Sequence, residues 1–208
     1  MTVPGADRAH ILALLADLLD YPRAALAEKG RECRDLVAPE SESAADLLDA
    51  FLADLGCVSE NKLEELYSDA FDLATMADTD VTCHPYIGHH LFGENYRRSR
   101  FMAGLAERYR VNGFEAGTEL PDHIVVILRF LAHCPDAELA EEIVGEALLP
   151  GLARMTHGGE GVALDGRSGG EIYLRVLEAA RLVISDVLWP DVPVTSYETV
   201  PALEGAIA

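Results

Sequence analysis

Two short stretches concentrate the side chains that could do chemistry. The first is CHPYIGHH, where Cys83, His84, His89 and His90 stand within one loop-like segment. Zinc takes three or four such ligands, and His123, His133 and Cys134 lie further along to supplement them. The spacing matches no standard zinc pattern, and ligands that are neighbours in sequence point apart. The reading is a histidine-bearing loop with no metal and no cofactor. The second stretch is ELPDH, Glu119 to His123, at the mouth of an almost wholly apolar segment. Asp122 and His123 could form an acid–base pair, but no serine or cysteine nucleophile motif accompanies them. A structural role is simpler. Asp122 in a first helical turn would suit the helix dipole, worth about 0.3–1 kcal/mol, and His123 would bond a neighbouring loop.

Two further motifs carry less. HGGEGVALDGRSGG, His157 to Gly170, is rich in glycine but lacks the lysine and the strand-to-helix setting of a phosphate loop. It reads as a connector. Arg97-Arg98 is a twin arginine, but an export signal must be N-terminal, so the pair reads as a basic helix face.

The elements that position these residues are helical. Ile11, Leu12, Leu15, Leu18 and Leu19 form one stripe at helical spacing, ended by Tyr21-Pro22. A weaker helix covers 23–36. Ser43 or a neighbour caps a helix with Leu47, Leu48, Phe51, Leu52 and Leu55 on one face and Gly56 at its end. Ser59 caps another, carrying Leu63, Leu66, Tyr67, Ala70 and Phe71. Residues 74–93 keep no period and read as a long irregular stretch, a kind that is often functional. A helix runs from about 94 to 110, with Phe101, Met102, Leu105 and Tyr109 inward. Thr118 caps the helix that holds Pro121, Asp122 and the run Ile124 to Phe130, apolar enough to be buried on most sides. Pro135-Asp136 opens a helix reaching Met155, kinked at Pro150-Gly151, and a last helix spans about 171–188. No strand period or internal repeat appears. The fold class is all-α: a single globular bundle of about eight helices over 1–190, followed by an extended tail over 191–208.

Composition narrows the function. Half of the residues are hydrophobic, enough for a sizeable core. No apolar run approaches the ~20 residues of a membrane span, and MTVPGADRAH lacks a basic segment followed by an apolar one. The expectation is a cytoplasmic protein with no stable membrane insertion. Cys33, Cys57, Cys83 and Cys134 form no close pair and are expected to be reduced and partly buried. The net charge is −20 and is unevenly spread. Residues 1–80 hold 18 acidic and 6 basic side chains, residues 81–134 hold 5 and 6, and residues 135–208 hold 13 and 4. Such a surface repels a phosphate backbone, so nucleic acid is not the partner. Most of the charge reads as a solvated surface or an adaptation to high salt, consistent with only two lysines, Lys29 and Lys62. The other reading is that it steers basic partners.

LEELYSDAFDL at 63–73, PYIGHHLFGENYRRSRFMAGLAERYRVNGF at 85–114 and ELPDHIVVILRFLA at 119–132 together resemble the maturation chaperones of molybdenum redox enzymes, the TorD/DmsD/NarJ family. That family shows an aromatic residue, then leucine–phenylalanine and glycine, here Tyr86, Leu91, Phe92 and Gly93. It also shows an acidic residue and Pro-Asp-His, here Glu119, Pro121, Asp122 and His123. The detail is nearest to the branch serving nitrate reductase and dimethylsulfide dehydrogenase-type enzymes. The resemblance implies an all-helical fold and no catalysis. It implies a partner, the apo catalytic subunit of a molybdopterin oxidoreductase, bound at its N-terminal or signal segment until the cofactor is inserted. Those eight residues are then the expected client-binding set. A small metal- or nucleotide-dependent enzyme built on residues 83–90 is the alternative.

Overall fold

Local capping chemistry sets where the helices begin. In the computed structural model, which describes residues 5–23, 25–71, 84–157 and 169–194, Ser41 caps α3 (Glu42–Leu55), its hydroxyl accepting from the Ala44 amide. Asn95 caps α6 (Tyr96–Val111) through the Arg97 amide, and Asp136 caps α8 (Ala137–Ile143) through the Leu139 amide. Each supplies an acceptor to a first-turn amide that has no helical partner. The other helices are α1 (Gly5–Leu19), α2 (Leu26–Val37), α4 (Glu60–Phe71), α5 (Ile87–Phe92), α7 (Ile124–His133), α9 (Leu149–His157) and α10 (Gly169–Leu182).

Residues 137–157 form one continuous rod with a fault in it. Val144–Leu148 is π-helical, and the Leu149 amide bonds back five residues to the Val144 carbonyl. Pro150 has no amide to donate and its ring crowds the preceding turn, so the helix widens just ahead of it. The proline kink expected at Pro150-Gly151 is thus absorbed as a local widening. A second π-helical stretch, Val183–Leu188, finishes the rod that begins with α10.

Helix α7 is buried at Ile124, Val125, Val126, Ile127, Leu128, Phe130 and Leu131. Helix α1 lies against α7 and α2; α10 lies against α3, α4 and α9; α5 is seated on α9 and α6. Phe51, Tyr67, Phe71 and Tyr173 interlock where α3, α4 and α10 meet, with ring centroids 5.0–6.0 Å apart. Among the described residues there is no strand and no helix long and apolar enough to cross a membrane. The fold is all-α, as the periodicity predicts.

Three local expectations change. The irregular stretch 74–93 contains a helix, Ile87–Phe92; it is too short to register as a period, yet Ile87, Gly88 and Leu91 bury one side of it. Residues 72–83 lie outside the described residues, as do most of the 157–170 connector and residues 195–208. Within the segment read as a tail, Val192 is partly buried against the core. Cys57 is exposed, whereas Cys33 is buried and its thiol is pushed up to about 12 by that burial.

Phe51 is fully buried in this aromatic cluster. Phe51→Ala should cost about 3–5 kcal/mol, since the neighbouring rings can only partly close the cavity. Denaturant unfolding followed by circular dichroism measures it.

Candidate functional site

The ELPDH segment is a turn, not the first turn of a helix. The His123 amide bonds the Leu120 carbonyl at 3.0 Å, and α7 starts only at Ile124. The cap is His123 itself: its Nδ1 accepts from the Val125 amide at 3.2 Å. That bond requires a bare Nδ1, so the ring is neutral with its proton on Nε2. Thr118 is therefore not the cap, and Asp122 does not sit over the helix dipole. The Tyr109 hydroxyl donates to the Pro121 carbonyl at 2.8 Å and ties the turn to α6.

The 84–93 segment docks on this turn through an isolated antiparallel bridge between Tyr86 and His123. The Ile87 amide bonds the Asp122 carbonyl and the Ile124 amide bonds the Pro85 carbonyl, both at 2.8 Å. The Tyr86 and His123 rings meet edge-on, with centroids 5.4 Å apart. Arg154 of α9 donates to the His90 and Leu91 carbonyls at the end of α5. This short helix has little stability of its own, so the bridge below and the arginine behind hold it in place.

Beneath the bridge lies an ion pair. Arg98 Nε donates to Asp122 Oδ2 at 2.8 Å; the carboxylate is fully buried and the arginine only 7% exposed. Arg98 also bonds Glu94, and Glu94 accepts from or pairs with His89 Nδ1 at 3.0 Å. The guanidinium lies 5.1 Å from the centre of the Tyr86 ring. Burial alone would lower the Arg98 pKa, but Asp122 and Glu94 outweigh it and raise it. The pair leaves no room above it. A β-carbon on Gly88 would stand 2.6 Å from Asp122 Oδ2 and 3.0 Å from Phe101 Cδ1. Arg98 is thus not part of an exposed basic face, contrary to the reading of Arg97-Arg98; Arg97 is exposed and lies over the Phe92 ring.

The histidines of the loop are close together but turned to other uses. His84 and His89 have ring centroids 4.1 Å apart, and His89 and His90 5.7 Å. His90 Nε2 is bonded to the His84 carbonyl at 2.8 Å, and His89 Nδ1 to Glu94. Among the described residues no group of three or more histidine, cysteine or acidic side chains is arranged to hold a metal ion. Cys83 lies outside the described residues. Burial pushes His90 down to about 4, against the opposing effect of its bond to the His84 carbonyl, and burial also lowers His84 and His123.

The family model described as "Nitrate reductase delta subunit" matches residues 34–154. The chain belongs to that family. The match runs from within α2 to within α9, so it includes both segments of the bridge and Arg98. Two curated relatives from Escherichia coli, strains K12 and O157:H7, are described as nitrate reductase molybdenum cofactor assembly chaperone NarJ. Each is 29% identical over 134 residues, covering 62% of this chain and 54% of the relative. This chain thus spans about half the length of the curated relatives it matches. A solved structure from Archaeoglobus fulgidus, described as a redox enzyme maturation protein, superposes with a TM-score of 0.54 at 21% identity. It covers 89% of this chain and 96% of its own, and shows that the fold is shared.

Within the family's matched region the expected residues divide into two groups. Asp122, His123 and Leu91 are buried, and Pro121 and Phe92 half-buried. Phe92 packs on Phe101 at 5.5 Å. Gly93 ends α5 with φ +70°, a conformation that favours glycine. Tyr86 is half-buried, its ring between His123 and the Arg98 guanidinium, and Glu119 is exposed. Sequence reasoning put Arg98 on the outer face. The signal for its burial was available: Arg98 shares a helical stripe with Phe101, Leu105 and Tyr109, the face read as inward.

Arg98→Ala leaves a buried carboxylate without its cation and should cost about 3–5 kcal/mol. The double change Arg98→Met with Asp122→Leu should recover much of that loss, because it removes both charges. Denaturant unfolding of the two variants checks this. A second expectation concerns pH. Just below the ordinary histidine value of about 6.5 the unfolded chain binds more protons than the folded one at His84, His90 and His123, and for His90 the difference extends down to about 4. Their contribution to stability is present above the ordinary histidine pKa and is lost as pH falls below it, with that of His90 lost progressively towards about 4. His90→Gln should flatten the fall of the unfolding midpoint between pH 7 and pH 4.5.

Proposed function

We propose that this chain is an assembly chaperone for a molybdenum-cofactor oxidoreductase of the nitrate reductase kind. In this role it binds the apo catalytic subunit at its N-terminal or signal segment and holds it until the cofactor is inserted. The observation that carries the reading is the family match over 34–154, because it covers the bridged pair of segments that the resemblance singled out. The curated relatives, named as assembly chaperones, support it. The role is non-catalytic, takes no cofactor of its own and is played in the cytoplasm.

The client site in this reading is the outer side of the bridged segments, where Glu119 is exposed and Tyr86 half-buried. Leu91, Phe92, Gly93, Pro121, Asp122 and His123 build the support that orients them. The acidic surface draws a basic segment from a distance. The test is co-expression of the full chain with the molybdoenzyme catalytic subunit of the same genome, followed by affinity capture. The expected result is a complex with the cofactor-free subunit that dissociates once the subunit is loaded, together with loss of active reductase when the chaperone gene is deleted. Full reductase activity in the deletion strain and no captured subunit would overturn the reading.

A further inference from the structure

The chain turns back at the end of α6. The Gly113 amide bonds the Arg110 carbonyl at 3.2 Å and the Phe114 amide bonds the Tyr109 carbonyl at 2.9 Å, with Gly113 at φ +68° making the reversal. The Phe114 ring is thereby laid against Tyr109 and Phe130, with centroids 5.3 and 5.5 Å away. The connector then leads to Pro121, whose carbonyl the Tyr109 hydroxyl holds. Between helix and connector an open cavity of about 300 Å³ remains. Ala106 and Tyr109 line it from α6, and Phe114, Ala116 and Pro121 from the connector. That volume falls at the lower end of ligand-binding clefts, ~300–1,000 Å³. Two of the five large hydrophobic side chains left exposed among the described residues adjoin the lining. Val111 follows Arg110 and is 67% exposed; Leu120 precedes Pro121 and is 42% exposed. Single apolar residues on a surface are ordinary. Two at the ends of one connector that also walls an apolar cavity mark an interaction site.

Charge decides the occupant. Arg110 is the basic side chain of the lining, and it is spent on Glu107 through two bonds of 2.6 and 2.8 Å. Glu115 also lines the cavity, and Glu119 stands two residues ahead of Pro121; both are exposed, and no ion pair engages either among the described residues. A second copy of this chain would bring a net charge of −20 to an edge that is already acidic. The chain's own residues 195–208 carry Glu198 and Glu204 and no lysine or arginine. Neither complements the cavity. A segment that sets a large apolar side chain beside a lysine or arginine does.

We propose that the cavity between the end of α6 and the 113–121 connector takes one large apolar side chain of the client's N-terminal segment, whose basic neighbours meet Glu115 and Glu119. The proposal rests on the client-binding role above. It extends the client site from the ELPDH turn, which shares Pro121, to the last turns of α6.

The experiment has two arms, both on the full chain and both with a synthetic peptide of the N-terminal segment of the co-encoded catalytic subunit. In the first, hydrogen exchange of the unsubstituted chain is followed with and without the peptide. Amides of residues 113–120 should exchange at least about tenfold more slowly once the peptide is bound. In the second, calorimetry measures the affinity of the peptide for Ala106→Trp, which fills the cavity from an exposed position and leaves the charge unchanged. Affinity should fall at least about tenfold, the scale of one apolar side chain kept from burial. The variant Glu115→Gln with Glu119→Gln should bind more weakly at low salt and lose much of the salt dependence. Thermal unfolding verifies that each variant is folded. Peptide binding that leaves exchange at 113–120 unchanged overturns the cavity assignment while the client role stands. Full affinity of folded Ala106→Trp does the same. If the wild-type chain does not bind the peptide, the cavity assignment and the N-terminal-segment reading both fall. Slow exchange without peptide that disappears when 195–208 are removed gives the cavity to the chain's own tail. Slow exchange that grows with protein concentration, with a dimer mass by light scattering, gives it to a second copy. Either result overturns the proposal. The exchange arm decides the matter even if Ala106→Trp does not fold.

Discussion

The buried pair between Arg98 and Asp122 is the constraint on which the rest of the site depends. Removing two charges from water costs several kcal/mol each, and their attraction repays this only with close geometry and further hydrogen bonds. Here Arg98 meets both Asp122 and Glu94, and it lies against the Tyr86 ring. The pair joins α6 to the 119–123 turn. Through the Asp122 carbonyl, which accepts from the Ile87 amide, it also joins α5. Gly88 sits so close above the carboxylate that the short helix can approach only because its residue there has no side chain.

That arrangement divides the labour between residues adjacent in sequence. Asp122 and His123 point inward and organise the turn, one by holding a cation and the other by capping α7 with its own ring. Glu119 is exposed at the surface of the turn, and Tyr86 lies half-buried against the His123 ring. The basic residues that could neutralise this face are largely spent within the chain, Arg129 on α1 and Arg98 beneath the bridge.

The supporting helices accommodate this in unequal ways. Helix α7 is apolar on nearly every side and can only be central. Behind α5, the rod formed by α8 and α9 carries both a π-helical widening ahead of Pro150 and Arg154, whose guanidinium caps the carbonyls at the end of α5. A helix of six residues is not stable alone. It persists here because one face is buried, its first amide is bridged, and its last carbonyls are met by a cation from another helix.

The sequence by itself determined the helical class, the inward faces and most boundaries, because these are set within a few residues by periodicity and capping. Leu48 and Phe51 on α3, Phe101, Leu105 and Tyr109 on α6, and the whole of α7 were legible in that way. The resemblance likewise drew attention to Tyr86 and to Glu119 through His123. Only the tertiary structure decided what those residues do. It placed Asp122 under the bridge and not in a helical turn, made His123 the cap in place of Thr118, and turned Arg98 from a surface charge into a buried partner. It also brought Tyr21, distant in sequence, edge-on against Tyr67. The physical reason is that an ion pair across 24 residues, or a ring contact across 46, leaves no local periodicity to read. Such contacts exist only once the helices that carry them have packed.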